Sequence, residues 1–139
     1  MNEQANTSTV QQFYESYKGQ DLRRTDAQPL LDLYSDNIEW HVPEMENVRV
    51  GGTRKGLESV REFFAMVADD YEVLQFEPQE FIAQDDKVVV LGRYSWRVKA
   101  TGKKFSSDWA HVYTVRGGKV VRFQEYMDTA ANIRAHRNA

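Results

Sequence analysis

Apolar positions along this chain change their spacing once, close to Tyr71. Before that point they recur at offsets of three, four and seven, as on helices with one buried face. Val10, Phe13, Tyr14 and Tyr17 form such a stripe in VQQFYESYKGQD, with Thr7 or Ser8 as the expected cap and Gly19 as the expected stop. AQPLLDLYS predicts a second helix presenting Leu30, Leu31 and Tyr34. NIEWHVP reads as a short strand ending at Pro43, and Glu44 to Lys55 as a loop with Gly51 and Gly52 as its soft point. GLESVREFFAMVADDY predicts a third helix, with Leu57, Val60, Phe63, Phe64 and Val67 on its apolar side.

After Tyr71 the period becomes two. EVLQFEPQEFIAQ, KVVVLGRYSWRVK, KKFSSDWAHVYTV and KVVRFQEYM are separated by DD, ATG and RGG, which are hairpin signals at short intervals. The closing DTAANIRAHRNA predicts a short helix or tail capped by Asp128 or Thr129. Helices followed by a meander of strands indicate an α+β fold in one domain over residues 1–139. Three N-terminal helices are expected on the concave face of a curved, mostly antiparallel sheet.

The turns decide which side chains share a face. ATGK and RGGK both suit a type I turn followed by a positive-φ glycine and a bulge. Val115 then opposes Lys119, His111 opposes Phe123 and Trp109 opposes Glu125, while Lys99 opposes Lys103 and Arg93 stands beside Trp109. One face would carry Val89, Leu91, Arg93, Trp109, His111, Tyr113, Val121, Phe123, Glu125 and Met127. The other would carry Val90, Tyr94, Trp96, Asp108, Val112 and Tyr126. A bare two-residue loop in RGGK would instead slip the register and part His111 from Glu125.

The first face is apolar except for one Arg, one His and one Glu, and it reads as a pocket lining. The plainer alternative is a hydrogen-bonded core histidine, with Arg93 and Glu125 as a structural pair around Trp109. A buried ion pair costs desolvation, however, which a simple core has little reason to bear. The second face, with its aromatic cluster, reads as the contact of a homodimer.

Composition narrows the possibilities. The chain has 139 residues, 41% hydrophobic and 28% charged, and a net charge of -3 with no dense basic run, which speaks against nucleic acid as a partner. It has no cysteine, which excludes disulfides and thiolate chemistry, and its three histidines lack a metal-ligand spacing, so no metal and no cofactor are expected. MNEQANTSTV has neither a basic nor an apolar leader region, and no apolar run approaches the ~18 residues of a membrane span. A cytoplasmic protein without membrane contact is the expectation.

The order of VQQFYESYKGQDL, LYSDNIEWHVP, GLESVREFF and GKVVRFQEYMDT resembles the SnoaL-like, ketosteroid-isomerase-related branch of the nuclear-transport-factor-two-like superfamily. The resemblance covers nearly the whole chain and implies helices over a deep apolar pocket. Its members include isomerases, cyclases, dehydratases, epoxide hydrolases and proteins without a reaction, so the fold alone does not assign chemistry. Where the steroid isomerases carry a Tyr and two Asp residues, this sequence has Phe13, Val42 and His111, which argues against that mechanism. The Arg-x-Asp of the limonene epoxide hydrolases corresponds to Arg93 and Ser95, so that triad is broken as well. The polyketide cyclases are more similar. They carry a His on the penultimate strand and a carboxylate fourteen residues later, which here are His111 and Glu125, with Glu in place of Asp.

These readings together suggest a pocket for a small, mostly apolar or aromatic carbonyl compound and isomerase- or cyclase-type acid-base chemistry. Glu125 would accept a proton, His111 would donate to or polarise a ligand oxygen, and Arg93 would orient Glu125 or bind an acidic ligand group. Phe13, Trp40, Phe63, Tyr71, Trp109, Tyr113, Phe123 and Met127 would shape the cavity. The alternative is a non-catalytic binding or dimeric association module with a vestigial pocket.

Overall fold

The computed structural model of the chain describes residues 2–17 and 28–137. Its elements are α1 (Glu3–Ser16), α2 (Gln28–Leu31), β1 (Tyr34–Val42), β2 (Gly52–Lys55), α3 (Leu57–Asp70), β3 (Tyr71–Gln84), β4 (Lys87–Val98), β5 (Lys104–Arg116), β6 (Lys119–Met127) and α4 (Thr129–Ala135). The six strands form one sheet in the order β2-β1-β6-β5-β4-β3, in which only the β1–β6 pair is parallel.

Helix α1 starts earlier than its apolar stripe. Asn2, not Thr7 or Ser8, is the cap, and its side chain accepts from the Ala5 N–H at 2.9 Å. Thr7 and Thr9 lie inside the helix and donate to the carbonyls of Glu3 and Ala5. The first turns are polar on every side, so no periodicity announced them. The helix ends at Ser16, with Tyr17 as cap, and the expected stop at Gly19 lies outside the described residues. The second helix is one turn, after which Tyr34 already opens β1. Leu30, Leu31 and Tyr34 are buried all the same. Part of the expected loop is a strand: β2 pairs with β1 from Glu39–Lys55 to Val42–Gly52, an all-polar segment held by backbone bonds. Helix α3 buries Val60, Phe63, Phe64 and Val67, its predicted stripe. Asp128 caps α4 by accepting from Ala131 N–H at 3.0 Å.

Both hairpins differ from expectation, with opposite consequences. In RGGK, Arg116 pairs with Lys119 across a two-residue Gly117–Gly118 turn, and both glycines have the positive φ (58° and 77°) that such a turn requires. A bulge follows: Val115 opposes Val120 but Thr114 opposes Arg122, leaving Val121 as the extra residue. That single insertion returns the pleat to the parity the turn would have lost. His111 therefore faces Glu125 directly, Tyr113 faces Phe123 and Trp109 faces Met127. Val121 itself is not an inner residue; Val120 is buried instead.

In ATGK, Val98 rather than Lys99 bonds with Lys103, so the loop is one residue longer than expected. One residue turns the whole of β4 over. Val90, Gly92, Tyr94 and Trp96 lie on the inner side against His111, Trp109, Ser107 and Phe105, and Val89, Leu91 and Arg93 lie on the outer side. Val90, Tyr94 and Trp96 are buried, so the aromatic outer patch expected to form a dimer contact does not exist in that form. The turned strand accounts for Gly92: a Cβ there would overlap the Trp109 ring and stand 2.5 Å from the Glu77 carbonyl oxygen.

Candidate functional site

The inner residues of β4, β5 and β6 meet the rings of α1 and α3 in a core made largely of aromatic side chains. Phe13 packs against Tyr17, Tyr34 and Phe64, and Trp40 stacks on Phe123 at 3.9 Å between centroids. Such a core buries much apolar area and leaves few polar atoms. Four polar side chains interrupt it in one continuous chain. The His111 Nε2 is 3.0 Å from Glu125 Oε2, the Tyr14 hydroxyl is 2.7 Å from His111 Nδ1, and the Tyr113 hydroxyl is 2.6 Å from that of Tyr14. All four residues are buried, Glu125 to 8% and His111 to 6% exposure.

The donors can be assigned by elimination. An ionised carboxylate only accepts, so the His111 Nε2–H donates to Glu125 and a neutral ring leaves Nδ1 as an acceptor. Tyr14 gives its one proton to Nδ1 and must accept from the Tyr113 O–H. Burial raises the Tyr14 and Tyr113 phenols well above their ordinary range, so both remain protonated donors at neutral pH. If His111 gains a proton, both ring nitrogens donate and the two hydroxyls reverse. On its other side Glu125 faces Tyr94, whose phenol is raised first by burial and then by the carboxylate.

Trp109 fixes the imidazole plane. Its ring stacks on His111 at 3.9 Å between centroids and 18° between planes. Tyr14 and Phe76 continue the stack on the Trp109 ring.

A cavity of about 40 Å³ adjoins this chain, with His111, Glu125, Phe13, Trp40, Phe63, Tyr113 and Phe123 among its lining. Of the residues expected at the site, these seven come together. Tyr71, Trp109 and Met127 do not line the cavity: Tyr71 packs against Trp96, Trp109 backs the histidine, and Met127 lies across from Trp109. Arg93 is on the opposite face, half exposed and 3.3 Å from Asp108, and has no route to Glu125. The extra residue in the ATGK loop is the reason. Sequence reasoning missed Tyr14, Tyr17, Phe64, Phe76, Tyr94 and Trp96 at the cavity and its polar chain. Tyr14 was visible only as one more member of the α1 stripe, and nothing in that spacing separates a core ring from a hydrogen-bond donor. Among the described residues no group of three or more His, Asp or Glu side chains comes together as a metal-ligand set, and no helix is long and apolar enough to cross a membrane.

Known proteins share this arrangement of elements. An NTF2-like protein from Burkholderia xenovorans LB400 is 33% identical, covers 99% of both chains and superposes with a TM-score of 0.84. An NTF2-like protein of unknown function from Burkholderia pseudomallei K96243 is 28% identical over 97% of this chain and 98% of its own, with a TM-score of 0.81. TerC, crystallised with polyporic acid, is 30% identical over 94% and 97% of the two chains, with a TM-score of 0.78. None of the curated proteins matches the chain. The sequence profile of the SnoaL-like domain matches residues 10–123, most of the length, and the chain belongs to that family.

Proposed function

We propose that the protein binds a small, mostly apolar carbonyl compound and moves a proton on it without a cofactor, in an isomerase- or cyclase-type reaction. The observation that carries this reading is the His111–Glu125 contact at 3.0 Å beside a cavity whose other walls are aromatic. A carboxylate there is a general base held in place: Glu125 takes a proton from carbon next to a carbonyl, while the His111 Nε2–H donates to it and Tyr14 and Tyr113 fix the imidazole through Nδ1. The return of the proton to a different atom completes an isomerisation or a ring closure. The likeness to TerC, crystallised with polyporic acid, favours an organic acid or a related carbonyl compound as the ligand.

The free cavity has room for little more than water, so a ring-bearing ligand must displace side chains such as Phe13, Tyr17 and Phe64. The same observation favours a second reading, a non-catalytic association module with a filled pocket. A thermal-shift screen of aromatic ketones and organic acids separates the two. The first reading expects ligands that raise the melting temperature of the wild type but not of His111→Ala. The second expects no such ligand.

A further inference from the structure

Taking a proton from carbon next to a carbonyl calls for two groups: a base, and a donor for the oxygen that gains charge. Glu125 fills the first place. His111, expected in the second, is not free, because its Nε2–H donates to Glu125 and its Nδ1 accepts from Tyr14. Tyr113 is committed to Tyr14 in the same way. A carbonyl oxygen lies about 2.4 Å from the neighbouring carbon, so the missing donor must stand beside the base.

Tyr94 stands there. It is an inner residue of β4, 2% exposed, and lines the cavity together with His111 and Glu125. Among the described lining residues, only His111 and Tyr94 hydrogen-bond the Glu125 carboxylate. Tyr17, the remaining phenol of the lining, feels that charge only through space. The Tyr94 ring is held by Trp96, at 4.7 Å between centroids, and by Phe105 and Trp109. Its hydroxyl, by contrast, turns about a single C–O bond. Burial keeps the phenol protonated at neutral pH, as a donor has to be.

We infer that Tyr94 is the catalytic donor to the substrate oxygen, and that Glu125 hands it over during the reaction. In the free protein the Tyr94 O–H donates to the ionised carboxylate. As the substrate C–H bond breaks, its proton passes to Glu125. The electron pair forms a C=C bond, and the carbonyl π pair moves onto the oxygen. The carboxyl group loses its charge while that oxygen gains one, so the stronger acceptor for Tyr94 changes sides. One rotation of the hydroxyl then stabilises the enolate, and it turns back once Glu125 has returned the proton to a different atom. This assignment rests on the reading of Glu125 as a base and adds the residue that receives the charge on oxygen.

The test uses 4-acetylbiphenyl labelled with 13C at its carbonyl. Glu125→Gln imitates the protonated base: His111 takes the amide oxygen, and the NH2 group cannot accept from Tyr94. The carbonyl signal of the bound probe should therefore lie further downfield in Glu125→Gln than in the wild type, and adding Tyr94→Phe should cancel that difference. Tyr94→Phe alone should bind the probe within a few-fold of the wild type yet slow hydrogen–deuterium exchange at its methyl group about a hundredfold. A merely structural residue would not separate turnover from binding in this way. Undiminished exchange in Tyr94→Phe, or one carbonyl signal shared by the wild type and Glu125→Gln, overturns the role of Tyr94 and leaves Glu125 as the base. A wild type that binds the probe without exchanging it overturns the reading of Glu125 instead, and the carbonyl signals still decide on Tyr94. If the wild type binds no probe, both fall. Comparing the wild type with Glu125→Gln decides the matter even where Tyr94→Phe does not fold.

Discussion

Tyr14 holds the polar chain together, because its single hydroxyl both supplies His111 Nδ1 and accepts from Tyr113. Tyr14→Phe keeps the ring that packs on Trp109 and Phe81 but strands a ring nitrogen and a phenol in the core. The expected cost is about 1–3 kcal/mol in denaturant unfolding. The 15N shifts of the imidazole should also report a change in how the ring proton is shared between Nδ1 and Nε2. A Tyr14→Phe protein with unchanged stability and an unchanged histidine spectrum would remove Tyr14 from the polar chain. Glu125→Ala acts at the other end and leaves the His111 Nε2–H without an acceptor, whereas Glu125→Gln still accepts and should fold nearly as the wild type does.

At the level of elements, β4 and the loop that turns it determine what the site contains. Gly92→Ala puts a methyl group into the Trp109 ring and against the Glu77 carbonyl, so it should destabilise by roughly 1–3 kcal/mol or more. Its effect should reach His111, which Trp109 stacks, and tryptophan fluorescence is expected to shift before the far-UV spectrum changes. Gly92 could not be read from the sequence as a point of close approach, because that depends on which face of β4 meets β5. The pattern of the strands themselves was legible: all four meander strands, α3 and the Asp128 cap stand where periodicity and turn residues put them. Register was not legible, since one loop residue in ATGK and one bulge residue at Val121 each invert a strand, and neither carries its own signal. His111 and Glu125 stayed on one face because the turn and the bulge cancel, although their direct pairing replaces the expected pairs of His111 with Phe123 and Trp109 with Glu125. The placement of Arg93 did not survive because nothing cancels the longer loop.

For the whole molecule, the corrected register changes the proposed dimer. The outer face now shows Val89 beside Val112, Leu91 beside Ala110, and Tyr126 beyond it at 57% exposure, with Ile82 at 52% on the next strand. A two-fold axis through this stripe would bury it on both copies. Under that proposal Leu91→Glu should move sedimentation towards the monomer, whereas Trp96, now internal, should not be used for this purpose. Tyrosine titration gives a second global test. Six of the seven tyrosines are raised by burial: Tyr14, Tyr17, Tyr34, Tyr71, Tyr94 and Tyr113. A folded-state phenol above its unfolded value contributes stability below about pH 10 that fades as pH rises further. These six should therefore ionise together with the loss of the near-UV spectrum. A gradual ionisation with the fold intact would contradict the burial of the chain.

The claim that Glu125 is a base for carbon acids is tested most directly by hydrogen–deuterium exchange on 4-acetylbiphenyl in D2O, followed at its methyl group by NMR. The wild-type protein should accelerate exchange over buffer, and Glu125→Gln should bind the probe within a few-fold of the wild type while losing that acceleration. Equal exchange in both proteins, or binding by the wild type with no acceleration, would contradict the account.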